Sequence, residues 1–209
     1  MQHKTVTSET TIAWGAAWRA LPGQTVCGDL HLVKPGSDGI LLGVVDGLGH
    51  GDEAIAAAKS AVATLEAHAS EPLSAIVKRC HEALTKTRGA VMTVATLQPS
   101  ASHLTWLGVG NVEAVLLRAG SNVKAPPVHV LLRSGIVGYQ LPELSASNLS
   151  VSPGDLLVFA TDGIGAGFTK GIARSDSPQQ IADRILERHF KGTDDALALV
   201  VRYIGVGDE

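Results

Sequence analysis

Aromatic residues are scarce in this chain: three Trp, two Tyr and three Phe among 209 residues. Nothing here suggests an aromatic platform for stacking bases. Cysteine is scarcer still. Cys27 and Cys80 are the only two, and they form no Cys-x-x-Cys pair, so neither a disulfide framework nor a redox motif is expected. They read as two reduced thiols. No His-x-x-x-His occurs, which argues against a zinc site. The chain also has no basic run. With 17 Lys+Arg against 20 Asp+Glu, the net charge is −3, which disfavours nucleic acid or an anionic membrane surface as the main partner. The longest apolar runs fall far short of a membrane span. The N-terminal Met1-Gln2-His3-Lys4-Thr5 is polar and lacks a signal-peptide core, so a cytoplasmic protein is expected.

What the chain does have is apolar residues, 45% of the total with 18% charged. That is a globular composition, and the length suits one domain over 1–209 with a sizeable core. Strands are expected at 12–18, 26–33, 40–45, 91–98, 103–109, 113–118, 128–133, 156–161 and 196–204. Helices are expected over Asp52–Ala69, Glu71–Thr87 and Ser177–Phe190. The last should have Ser177 as its N-cap and Pro178 at its first position. Strands outnumber helices and come in hairpin-like neighbours. This predicts an α+β fold of packed, mostly antiparallel sheets flanked by helices rather than a doubly wound parallel sheet.

The chemistry concentrates at strand ends. Gly43-Val44-Val45-Asp46-Gly47-Leu48-Gly49-His50-Gly51 runs an apolar strand straight into an aspartate and then glycines. An unpaired carboxylate is costly in a dry interior, and a bound cation would compensate it. The pattern recurs at Thr161-Asp162-Gly163, and Asp194-Asp195 opens the final strand. If the Pro35-to-Gly39 turn is centred between Ser37 and Asp38, Asp29 falls directly opposite Asp46. Their Cβ atoms would then lie roughly 5 Å apart on one face. Two carboxylates so placed repel unless a cation lies between them. Carboxylate oxygens are hard ligands suited to Mg²⁺ or Mn²⁺. Two such ions activate water and clamp a phosphoryl group.

In this order, Gly28-Asp29, Asp46-Gly47-Leu48-Gly49-His50-Gly51, Thr161-Asp162-Gly163 and Asp194-Asp195 resemble the metal-dependent serine/threonine protein phosphatases of the PPM, or type 2C, class. The bacterial SpoIIE-like branch is the nearer likeness. The short form without sensor modules resembles the phosphatases that reset the stressosome in stress signalling. The resemblance runs from about Trp14 to Ile204.

It implies a four-layer α-β-β-α sandwich with two Mn²⁺ or Mg²⁺ ions at one edge. Asp46 would bridge both ions and Gly47 would lend its carbonyl. Asp29 would hold one ion, and Asp162 and Asp194 the other. A metal-bridging hydroxide would attack phosphorus in line, with no covalent phosphoenzyme. The implied partners are phosphorylated STAS-type or stressosome proteins, met by a monomer. The chain departs from the pattern at Leu197, where many relatives carry threonine.

Several residues stand open between two roles. Arg19 could grip phosphate or be a surface arginine, and His50 could donate a proton or simply start a helix. The loop from Ser134 to Pro142 could be a substrate-facing flap or an ordinary connection. Asp52 and Glu53 fit helix-start acids favoured by the dipole. Asn111 fits a left-handed hairpin turn, and Trp14, Trp18 and Trp106 fit core or edge positions. Gly47-x-Gly49-x-Gly51 lacks the full dinucleotide-loop spacing. Beside the phosphatase stand a non-catalytic phosphoprotein-binding module on the same fold and a hydrolase of small phosphate esters.

Overall fold

Continuous apolar runs make strands buried on both faces, and β3 (Ile40–Gly47), β4 (Ala90–Gln98), β10 (Leu156–Ala160) and β11 (Ala196–Tyr203) are almost entirely buried along their length. They form the centres of two sheets in this computed structural model, which describes residues 11–120 and 125–206. The polar N-terminal stretch Met1–Thr5 lies outside the described residues. With β1 (Ile12–Arg19), β6 (Glu113–Leu117) and β7 (Val128–His129), one sheet runs in the order β1-β11-β10-β6-β7. The other adds β2 (Asp29–Pro35), β5 (His103–Val109) and β8 (Leu132–Arg133) in the order β2-β3-β4-β5-β8, and β9 (Ser147–Ser150) also pairs with β5. Every pairing is antiparallel except β5 with β8.

Three apolar layers separate four structural ones. The inner faces of the sheets meet over Leu42, Val44, Trp106, Phe159 and Leu199. Helices α1 (Asp52–Ala67) and α2 (Leu73–Leu84) cover the second sheet through Ala57, Ala61, Leu65, Ile76 and Leu84. Helix α3 (Pro178–His189) covers the first through Ile181, Ala182 and Ile185. The expected α-β-β-α sandwich is therefore what the chain forms. α3 begins with a complete capping box between Ser177 and Gln180 and has Pro178 in its first turn, so its start was written locally. Asp52 and Glu53 lie in the first turn of α1, where the dipole favours acids.

Some boundaries differ from expectation. β2 starts at Asp29 and not Val26, because the Gly28 N–H is tied to the Asp195 side chain instead of a strand neighbour. α2 starts at Leu73 with Pro72 as its N-cap, not at Glu71, and ends at Leu84, not Thr87. The expected strand 128–133 divides into β7 and β8, which belong to different sheets. The positive φ of the 108–111 turn falls on Gly110, at 92°, and not on Asn111.

Of the three tryptophans, Trp106 is core, whereas Trp14 and Trp18 are 44% and 58% exposed on the edge strand β1 and lie tilted against His31. The free backbone of that edge is partly closed by Gln179. Its side-chain amide accepts from the Ala16 N–H at 3.2 Å and donates to the Ala16 carbonyl at 2.9 Å. Occupying an edge in this way blunts pairing with another strand. Both cysteines are free, and burial pushes each thiol up to about 12. Among the described residues no helix is long and apolar enough to cross a membrane.

Candidate metal centre

The acids meet at one end of the sandwich because the strands that carry them end there. Asp29 opens β2 and Asp46 is the penultimate residue of β3, and the ladder pairs them directly. Directly opposed residues put their side chains on one face. Asp162 lies two residues past β10, and Asp194 two residues before β11, the neighbour of β10. Thr161 joins the two sheets. Its hydroxyl donates to Asp29 Oδ2 at 2.7 Å and accepts from the Leu197 N–H at 2.8 Å.

Glycines let the elements close in. A Cβ on Gly47 would strike the Ala54 carbonyl at the start of α1, and one on Gly163 would strike the carbonyl of Asp195.

The electrostatics register this crowding. Asp46 is pushed up to about 9, first by burial and then by the charges of Asp29, Asp162, Asp194 and Asp195. Asp29 is pushed up to about 7, again chiefly by burial. The Thr161 hydroxyl pulls it back, and Asp195, Asp194 and Asp162 add to the rise. Asp194 is raised by burial most of all, with the Asp195 backbone N–H and His50 opposing. Charge–charge coupling thus links all four candidate acids. Among the described residues, none of the four forms an ion pair with lysine or arginine. Nor do any three His, Cys, Asp or Glu side chains close into a finished metal cage. The acids gather at one end, and several of their oxygens bond to protein donors instead. Asn111 Nδ2 donates to Asp162 Oδ2 at 2.9 Å, and the Asp195 N–H donates to Asp194 Oδ1 at 2.9 Å. An oxygen-only donor set with buried, uncompensated negative charge suits a hard divalent cation. The residues present therefore fit Mg²⁺ or Mn²⁺.

Asp195 differs from its neighbour. It is 3% exposed, and both of its oxygens are taken, Oδ1 by the Leu21 N–H at 2.8 Å and Oδ2 by the Gly28 N–H at 2.7 Å. It therefore holds the segment leading into β2, which leaves Asp194 as the ligand candidate of the pair. Asp195→Ala strands two amide donors, each worth about 1–3 kcal/mol when buried and unpaired. Urea unfolding should show a destabilisation of about 2–5 kcal/mol. An unchanged midpoint would contradict this role.

The other sequence candidates lie around the centre. His50 is exposed in the bend after β3, near enough to Asp194 for its charge to pull that acid's pKa down. Arg19 stacks its guanidinium over the Phe190 ring, 5.1 Å from the centroid. The segment 134–142 is tethered on both sides. Val137 exchanges two backbone hydrogen bonds with Ala90, and Gly138 donates to His81 Nδ1 at 2.9 Å. Its Tyr139 is 80% exposed. Three residues without a site role in the sequence reading touch the acids: Thr161, Asn111 and Lys191, whose Nζ donates to the Asp162 carbonyl at 2.6 Å. Thr161 sits inside a recognised motif, but nothing in the sequence marks the other two.

Comparison with known proteins agrees with this architecture. The family described as Stage II sporulation protein E (SpoIIE) matches residues 36–204. The phosphoserine phosphatase RsbX of Bacillus subtilis (strain 168) is 26% identical over 142 residues, covering 68% of this chain and 69% of that protein. A solved chain described under "The bacterial stressosome: a modular system that has been adapted to control secondary messenger signaling" superposes with a TM-score of 0.83. It is 30% identical and covers 92% of this chain and 100% of its own. RsbX in complex with magnesium shares the fold, with a TM-score of 0.82 at 21% identity over 95% of this chain and 98% of that one. This chain belongs to the SpoIIE family and is a phosphatase domain of the PP2C/PPM type.

Proposed function

We propose that the chain is a metal-dependent phosphoserine/phosphothreonine protein phosphatase whose substrates are phosphorylated STAS-type or other stressosome proteins. It would work as a single domain and a monomer in the cytoplasm, resetting a stress signal. The observation that carries this reading is the Asp29–Asp46 pair at facing strand ends, with both carboxyls driven up by burial and by neighbouring aspartates. Such a pair is unfavourable alone and favourable around cations. The magnesium complex of a fold relative and the phosphoserine activity in the name of a sequence relative support it.

In this reading Asp29, Asp46, the Gly47 carbonyl, Asp162 and Asp194 would hold two divalent ions, as in the family's two-ion chemistry. When bound, the divalent cations supply Lewis acidity that activates water and neutralises phosphate oxygens. The chain's own residues do the positioning. The β2–β3 ladder fixes Asp29 against Asp46. Thr161 fixes the Asp29 carboxylate, and Asn111 fixes that of Asp162. Orienting groups of this kind govern ligand geometry and affinity.

Phosphate release from phosphoserine and phosphothreonine peptides and from an aryl phosphate tests the reading. Release should require Mn²⁺ or Mg²⁺ and stop with chelator. Release that persists in chelator, or none with any metal from folded protein, would overturn it. The second outcome favours the phosphoprotein-binding module.

A further inference from the structure

Lys191 lies against one of the acids that the proposed function uses. Residues 163–165 and 189–191 run side by side. Gly165 N–H donates to the His189 carbonyl at 2.7 Å and Lys191 N–H to the Gly163 carbonyl at 2.9 Å, around a bridge between Ile164 and Phe190. This short ladder places Lys191 directly beside the Asp162 loop. Its side chain is exposed and its ammonium donates to the Asp162 carbonyl at 2.6 Å. Among the described residues it is the lysine or arginine whose head group touches one of the four candidate acids' residues. Arg19 is engaged over Phe190 instead, and Arg88 pairs with Glu53 at 3.3 Å.

An ammonium has three donors, and the Asp162 carbonyl takes one. We infer that Lys191 is a phosphate-binding residue, presenting its remaining N–H donors to the phosphoryl group of substrate and to product phosphate at the rim of the acid centre. The inference rests on the phosphatase reading and adds to it the residue that grips the dianion. Lysine suits the task as a compact charge on a flexible stem that can follow the anion.

The test compares Lys191→Met and Lys191→Arg with the unaltered protein. Inorganic phosphate is titrated by calorimetry into Mg²⁺-loaded protein, Mg²⁺ alone is titrated in parallel, and KM and kcat are measured on an aryl phosphate. Losing a hydrogen bond to a charged group weakens binding on the order of tenfold to a hundredfold. Lys191→Met should lose phosphate affinity and raise KM by that factor, with Mg²⁺ affinity and melting temperature unchanged, and Lys191→Arg should restore most of the loss. If Lys191→Met binds phosphate like the unaltered, active protein, this inference fails and the phosphatase reading stands. If Mg²⁺ affinity falls in step with phosphate affinity, Lys191 only braces the Asp162 loop and the inference likewise fails. If the unaltered protein neither binds phosphate nor releases it, both fall.

Discussion

Asp46→Asn abolishes phosphate release while leaving the fold intact, and it makes the metal-free protein more stable. Both effects have one origin. Asp46 sits where burial and four neighbouring aspartates oppose its charge and push it up to about 9, so below that pH the metal-free fold must take up a proton that the unfolded chain has released. The amide keeps the shape and needs no proton, which removes that cost when no cation is present. With cation present the same change would delete a residue proposed to hold it. Turnover should fall by at least about 10²–10³-fold, the scale of removing one electrostatic group from a reacting site. Circular dichroism and thermal melts in chelator should show an unchanged fold and a higher midpoint. Near-normal, metal-dependent turnover by the variant would contradict the account.

The second large effect is on pH. In chelator, the protein should lose stability steadily between pH 6 and 9. In the unfolded chain an aspartate titrates near its ordinary value of 3.8, whereas in the fold Asp29 is pushed to about 7 and Asp46 to about 9. Between those limits the folded state holds protons that the unfolded state has released. Stability therefore falls as pH rises, fully so only once both folded values are passed. Working above pH 6 avoids the titration of ordinary carboxylates. Saturating Mn²⁺ or Mg²⁺ binds the folded form and should raise the midpoint and flatten this slope. A melting temperature that is flat from pH 6 to 9 in chelator would contradict the assignment of Asp29 and Asp46 as mutually repelling, buried acids.

The residues that proved legible in sequence were those whose geometry is local. One turn, Pro35-Gly36-Ser37-Asp38-Gly39, fixes the β2–β3 register, and the register alone sets Asp29 against Asp46. Apolar runs announced the doubly buried strands, and Ser177-Pro178 announced α3. What escaped was set by tertiary structure. The Thr161–Asp29 bond spans 132 positions, the Asn111–Asp162 bond 51, and the Lys191–Asp162 bond 29. No periodicity or turn chemistry encodes which loops meet across a sandwich. The division of 128–133 between two sheets was hidden for a related reason. Two-residue strands carry no alternation long enough to assign a sheet, and pairing partners decided it. Asp194 and Asp195 are adjacent and chemically identical in sequence. The resemblance names Asp194, and the Leu21 and Gly28 amides occupy both oxygens of Asp195.

Asp29, Asp46, Asp162 and Asp194 are proposed to hold divalent cations. Counting bound Mn²⁺ by electron paramagnetic resonance, in the unaltered protein and in Asp46→Asn and Asp162→Asn, tests it most directly. The account predicts two ions in the unaltered protein and a loss of bound Mn²⁺ in both variants. No bound Mn²⁺, or binding that neither substitution changes, would contradict it.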